Sequence, residues 1–162
     1  MLRFLYLFLF FLLLSVTACK QKRVLFEKIP SSKSGILFNN AIVETDSVNV
    51  LDFGNVYNGG GVGLGDFNND SLPDVYFTGN TVSNKLYLNK GNLSFQDVSR
   101  QAGVEGSNRW CRGVSVVDIN NDGWMDMYIT TSIKSNPTDR QNLLYINQGI
   151  DEKGIPIFKE MA

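Results

Sequence analysis

Val62-Gly63-Leu64-Gly65-Asp66-Phe67-Asn68-Asn69-Asp70-Ser71-Leu72-Pro73-Asp74-Val75-Tyr76-Phe77-Thr78 has a counterpart 52 residues later. The counterpart is Val114-Ser115-Val116-Val117-Asp118-Ile119-Asn120-Asn121-Asp122-Gly123-Trp124-Met125-Asp126-Met127-Tyr128-Ile129-Thr130. Downstream, Asn84-Lys85-Leu86-Tyr87-Leu88-Asn89-Lys90-Gly91 returns as Asn142-Leu143-Leu144-Tyr145-Ile146-Asn147-Gln148-Gly149, at an offset of 58 residues. The six additional residues lie around Lys134 to Arg140, in a stretch whose Ser-Asn-Pro-Thr-Asp composition is that of an exposed turn. A weaker element recurs as Phe26-Glu27-Lys28-Ile29, Phe95-Gln96-Asp97-Val98 and Phe158-Lys159-Glu160-Met161. Self-similarity at this period points to propellers and other repeat arrays.

Each unit reads as β-structure. Val62 to Leu64, Val75 to Thr78, Lys85 to Leu88 and Leu93 to Val98 are short apolar and aromatic runs separated by Asn, Gly and Asp clusters. The second unit offers Val114 to Val117, Met127 to Thr130, Leu143 to Ile146 and Ile157 to Met161. Four short strands per period make a propeller blade. The chain is therefore expected to be all-β, about two complete four-stranded blades, with little helix beyond a turn near Ser99 to Ala102. Phe26 to Ile29 resembles the last strand of a unit, and could supply a strand to another blade. Two blades cannot close a ring that takes about four to eight. A piece of a longer protein is the simplest account, with assembly of several short chains as the other.

The loop in each unit carries oxygen side chains at alternate positions, Asp66, Asn68 and Asp70 in one and Asp118, Asn120 and Asp122 in the other. Asp74 and Asp126 follow at the ninth position. A hard cation such as Ca²⁺ takes about six to eight oxygens, and alternate spacing lets a tight loop turn side chains 1, 3 and 5 inward. A backbone carbonyl at position 7, from Leu72 or Trp124, would fill the next site. The EF-hand shares this opening but needs a bidentate Glu at position 12 and flanking helices. Position 12 here is Phe77 or Ile129, among β-type residues. The competing account is an Asx-rich turn without metal; two copies with all four of these Asp and Asn positions kept, at matched offsets, weigh against it.

At the N-terminus, Met1-Leu2-Arg3 precedes an apolar run from Phe4 to Leu14, then Ser15-Val16-Thr17-Ala18 before Cys19. Eleven helical residues at about 1.5 Å each fall short of the roughly 30 Å hydrocarbon core, so the run is a secretory signal and not a span. Val16-Thr17-Ala18-Cys19 resembles a bacterial lipobox, which makes Cys19 the lipidation site; a plain signal peptide cut nearby is the alternative. The expected organisation is a helical lipoprotein signal peptide at 1–18, a tether at 19–24 and the repeat region at 25–162. The protein would be exported and lipid-anchored to the cell envelope.

The sequence resembles the VCBS/FG-GAP repeat family, through Asp-Phe-Asn-Asn-Asp-Ser-Leu-Pro-Asp, Asp-Ile-Asn-Asn-Asp-Gly-Trp-Met-Asp and the Asn-x-Leu-Tyr-Φ-Asn-x-Gly strands. The resemblance covers about residues 25–162. It implies a propeller of roughly seven blades with calcium in the blade hairpins, used for adhesion or ligand binding. Exported bacterial relatives often continue into a C-terminal ASPIC/UnbV domain. Phe53-Gly54 lacks a following Gly-Ala-Pro, so the literal FG-GAP motif is not intact.

Composition narrows the function classes. Histidine is absent, which excludes a Ser-His-Asp triad, a Cys-His pair and any His-ligated metal within this chain. A net charge of −1 offers no polybasic surface for nucleic acid. Paired carboxylates could serve glycoside hydrolysis, but a regular repeat is the wrong arrangement for one asymmetric active site. The expectation is a non-enzymatic binding segment, contacting a membrane through its lipid and an unknown protein or glycan ligand. The alternatives are the non-catalytic propeller part of an exported polysaccharide-processing enzyme and a purely structural spacer. Asn58 to Gly65 lacks the Lys-Ser/Thr of a phosphate loop and reads as close backbone approach. Cys111 reads as a small buried hydrophobe, and Tyr87 and Tyr145 as core. Trp110 and Arg112 could line a ligand surface, though inter-blade packing is the commoner use of such a Trp.

Overall fold

The computed structural model describes residues 25–106 and 108–162. The expected signal peptide and the whole tether, Cys19 included, lie outside them. Among the described residues no helix is long and apolar enough to cross a membrane.

Eight strands form two four-stranded antiparallel sheets, each in simple sequential order. The first holds β1 (Val62–Gly65), β2 (Asp74–Phe77), β3 (Lys85–Asn89) and β4 (Phe95–Asp97). The second holds β5 (Cys111–Val117), β6 (Asp126–Thr131), β7 (Leu143–Ile150) and β8 (Pro156–Glu160). The all-β, two-unit reading is thus what the chain adopts. The expected turn is a short helix, α2 (Ser99–Ala102), ended by Gly103 at φ 73°. One helical turn was not anticipated: α1 (Ser31–Ser34) follows Pro30 and stops at the left-handed Gly35. The longer loop of the second unit holds a 3₁₀ turn (Pro137–Arg140), whose Thr138 N–H is accepted by the Asn136 side chain.

Residues 26–29 pair with neither of these two sheets, and Phe26 is 92% exposed. One expectation needs correction. β4 starts at Phe95 and not at Leu93, because Asn92 (φ 53°) and Leu93 (φ 59°) take left-handed conformations that break the extended run.

The sheets pack face to face around one core. The first contributes Tyr76, Leu86 and Leu88, with Phe67, Val98, Ala102 and Val104 from its connections. The second contributes Cys111, Met127, Ile129, Leu143 and Tyr145. Because strand side chains alternate with period 2, the two units bury opposite faces of equivalent strands. Tyr76 is fully buried while its counterpart Tyr128 is 38% exposed; Met127 and Ile129 are buried while Val75 and Phe77 are only partly so. The outer face of the first sheet is partly covered by residues 36–41. Phe38 stacks on Phe77 with centroids 5.0 Å apart, and Leu37 N–H donates to the Tyr87 hydroxyl at 3.3 Å.

The inner strands β1 and β5 lie side by side, and glycine permits it. A Cβ on Gly61 would sit 2.6 Å from the Arg112 carbonyl oxygen, and one on Gly63 would sit 2.9 Å from Val116 Cγ2. The close-approach reading of this Gly-rich stretch therefore holds. The Thr78 hydroxyl adds a clamp: Gly61 N–H donates to it at 2.5 Å, and it donates to the Arg112 carbonyl.

Candidate functional site

The two acidic loops connect β1 to β2 and β5 to β6, so they emerge at the same end of neighbouring sheets. They also touch, with Asn69 Nδ2 donating to the Gly123 carbonyl at 3.2 Å. Internally they repeat one hydrogen-bond scheme. Asp66 accepts from the Asp70 N–H (3.0 Å) and Ser71 N–H (2.7 Å), as Asp118 accepts from Asp122 (3.1 Å) and Gly123 (2.9 Å). Asp70 accepts from the Leu72 N–H and Asp122 from the Trp124 N–H, both at 2.9 Å. The Asn68 and Asn120 amides donate to Asp70 at 2.9 Å and Asp122 at 2.7 Å. One difference stands out: Asn120 Oδ1 also accepts from the Asp122 N–H at 3.2 Å, a bond its counterpart Asn68 does not make.

The winding of each loop depends on left-handed residues at its fourth and sixth positions. Asn69 and Asn121 have φ of 55° and 59°. At the sixth position Gly123 has φ 87° and Ser71 has φ 67°. Asn tolerates this region, glycine is indifferent to it, and serine is strained by about 1 kcal/mol. Gly123→Ala should therefore cost about 1 kcal/mol in denaturant titration, with no steric component, since nothing lies within 4 Å of its Cβ direction. Ser71→Gly should shift stability the other way by a smaller amount, because glycine also loosens the unfolded chain.

Asp74 and Asp126 occupy a different environment from the other four acids. Both are buried. Asp74 accepts from the Phe67 N–H (2.9 Å) and the Asn89 N–H (2.8 Å); Asp126 accepts from the Ile119 N–H (3.0 Å) and the Asn147 N–H (2.8 Å). Each pins the start of its own loop to the third strand of its sheet. Burial pushes the Asp74 carboxyl up to about 6. The Asn89 and Phe67 N–H groups oppose that rise, and the Asp70 and Asp66 charges add to it.

The side chains of Asn89 and Asn147 complete the scaffold, donating to the Pro73 carbonyl at 3.0 Å and to the Phe67 carbonyl at 2.9 Å. The latter bond ties the second sheet to the first loop. Sequence reading quoted both asparagines within the repeated strand without giving them a role. The signal was their conservation between the two copies.

Asp66, Asn68, Asp70 and the Leu72 carbonyl thus share one loop, as do Asp118, Asn120, Asp122 and the Trp124 carbonyl. Among the described residues no three acidic side chains stand close enough to cage an ion, because the ninth Asp turns to the backbone. The donor chemistry nevertheless fits a hard cation: two solvent-facing carboxylates, an amide oxygen and a carbonyl. One buried atom marks the place. Asn68 Oδ1 is buried and accepts no hydrogen bond, an unmet need that a cation would satisfy.

Comparison with known proteins meets this geometry at the same residues. Cartilage acidic protein 1 of Xenopus tropicalis is 34% identical over 74 residues, 45% of this chain and 11% of that protein. The Mus musculus and Homo sapiens proteins of that name are each 35% identical, over 69 and 72 residues. The chain spans about a tenth of the length of these relatives, 11% in each case. Residues 66–129, which run from the first aspartate of one loop past the last aspartate of the other, match the family model of the FG-GAP-like repeat.

Proposed function

We propose that this chain is a non-enzymatic, calcium-binding β-propeller segment of an exported lipoprotein, and that it serves ligand or protein binding and adhesion. The observation that carries the calcium reading is the buried, unpartnered Asn68 Oδ1 within a loop whose other oxygens are already gathered. A bound cation would neutralise the loop carboxylates and lock the loop. Asp66, Asn68, Asp70 and the Leu72 carbonyl would hold one ion, and Asp118, Asn120, Asp122 and the Trp124 carbonyl the other. Asp74 and Asp126, whose carboxylates turn to backbone N–H groups, would shape the loop around the ion. The FG-GAP-like repeat supports the propeller-type binding role.

Calcium titration of the full chain tests this. Asp70→Ala and Asp122→Ala should each remove one site. The loop with Gly123 should bind more tightly than the loop with Ser71, by up to about tenfold if about 1 kcal/mol of strain transfers to affinity. Ser71→Gly should narrow the gap. Equal affinities unmoved by Ser71→Gly would discard the strain argument, and an absence of calcium binding would discard the metal reading. Export is tested separately. Cys19→Ser should release the protein from membranes, and an unmodified mature N-terminus other than Cys19 would rule out lipid attachment.

A further inference from the structure

The two acidic loops are wound alike but held differently. Phe67, the second residue of the first loop, lies between Asp66 and Asn68 and is fully buried in the core shared by the two sheets. Its ring meets Phe158 of β8 edge-on, with centroids 5.9 Å apart. Its N–H donates to Asp74 of its own unit, whereas its carbonyl accepts from Asn147 Nδ2 of the second unit at 2.9 Å. The counterpart of Phe67 is Ile119, which is 56% exposed, and among the described residues no donor reaches its carbonyl. Asn89, the counterpart of Asn147, donates among the described residues only to Pro73 of its own unit.

The third residue of each loop differs accordingly. Asn120 Oδ1 turns back to accept from the Asp122 N–H, while Asn68 Oδ1 is buried and has no donor. The carbonyl that Asn147 grips belongs to the planar peptide joining Phe67 to Asn68, so this bond fixes the base from which the Asn68 side chain projects. Asn147 is itself firmly seated: its N–H donates to Asp126 at 2.8 Å, and its Oδ1 accepts from the Gly149 N–H at 3.0 Å. A loop held from outside keeps its amide oxygen open, and a loop held only by itself closes that oxygen on its own backbone. An ion entering the second loop must displace the Asp122 N–H from Asn120; the first loop has no such bond to break. We propose that Asn147 is a positioning residue for the cation site of the first loop, so that this site is complete only when the second sheet is packed against the first. The inference rests on the calcium reading above and adds which distant residue sets the first site.

Calcium titration of the full chain tests it, with one loop removed at a time. Asp122→Ala leaves the first loop and Asp70→Ala leaves the second. Each is measured with and without Asn147→Ala, so the strain at Ser71, present in both members of a pair, cancels. Asn147→Ala should weaken calcium binding at the first loop by about fivefold, the worth of one net hydrogen bond, and at the second by less than about twofold. A merely structural loss would weaken both loops alike. If Asn147→Ala fails to fold, the Asn147 side-chain amide is followed by ¹⁵N NMR in Asp122→Ala, where calcium should shift it saturably; an unmoved signal overturns the inference. Unchanged affinity at the first loop, equal weakening of both loops, or calcium at the second loop only overturns the role of Asn147 and leaves the calcium reading standing. No calcium at either loop of the unsubstituted chain overturns both.

Discussion

Gly61→Val should destabilise the protein by about 3 kcal/mol, the upper part of the usual range for overpacking a close contact. The neighbours of the added Cβ are all backbone: the Arg112 carbonyl oxygen at 2.6 Å, the Val114 nitrogen at 3.1 Å and the Gly113 Cα at 3.2 Å. No side chain can rotate away, so β1 and β5 must part. Parting them strains the Thr78 clamp and opens the core shared by Tyr76 and Met127. For a chain of this size the loss corresponds to a fall of about 6–12 °C in Tm. Gly54→Ala is the control, since nothing lies within 4 Å of its Cβ direction. Denaturant titration of both variants should separate them clearly. A Gly61→Val protein as stable as Gly54→Ala would mean that the inner strands do not meet as described.

Asp126→Ala should cost about 2–3 kcal/mol, because it strands one buried N–H donor at about 1–3 kcal/mol and frees a second, part-buried one that water can partly satisfy. Those donors are the Ile119 N–H at the start of the loop and the Asn147 N–H on the third strand. Asp126→Asn should fall between, since its amide keeps one accepting oxygen. The measurement belongs in EGTA, where any role in metal binding is silent and only the role as a staple remains. Hydrogen exchange at Ile119 and Asn147 should accelerate in the alanine variant. Unchanged stability in EGTA would show that Asp126 does not hold the loop to the sheet.

The ninth aspartate shows where sequence reading was incomplete. Its spacing marked Asp74 and Asp126 as oxygen ligands, and nothing local distinguished them from Asp66 or Asp118. Their hydrogen-bond partners include Asn89 and Asn147, which lie 15 and 21 residues away along the chain. A side chain's burial depends on what the rest of the chain brings to it, and spacing within nine residues carries no record of that. The same holds for Phe26 to Ile29. A short apolar pattern resembles a strand, but a strand exists only where an edge is there to pair with it.

Repetition and turn chemistry were sufficient for the local structure. The 52-residue offset separated two units, the Asn, Asp and Gly clusters marked the turns, and alternating apolar runs placed eight strands in sequential order. They could do this because strand pairing within a unit joins consecutive segments, whose signals are short-range. Gly123 could be assigned positive φ from its place in the loop, and it has it. Which face of each sheet is covered was decided by tertiary structure alone. Tyr76 and Tyr128 occupy equivalent positions in near-identical strands, yet one is sealed and the other exposed. The physical reason is that a blade has two faces of similar composition, and only the neighbour packed against one of them makes it core.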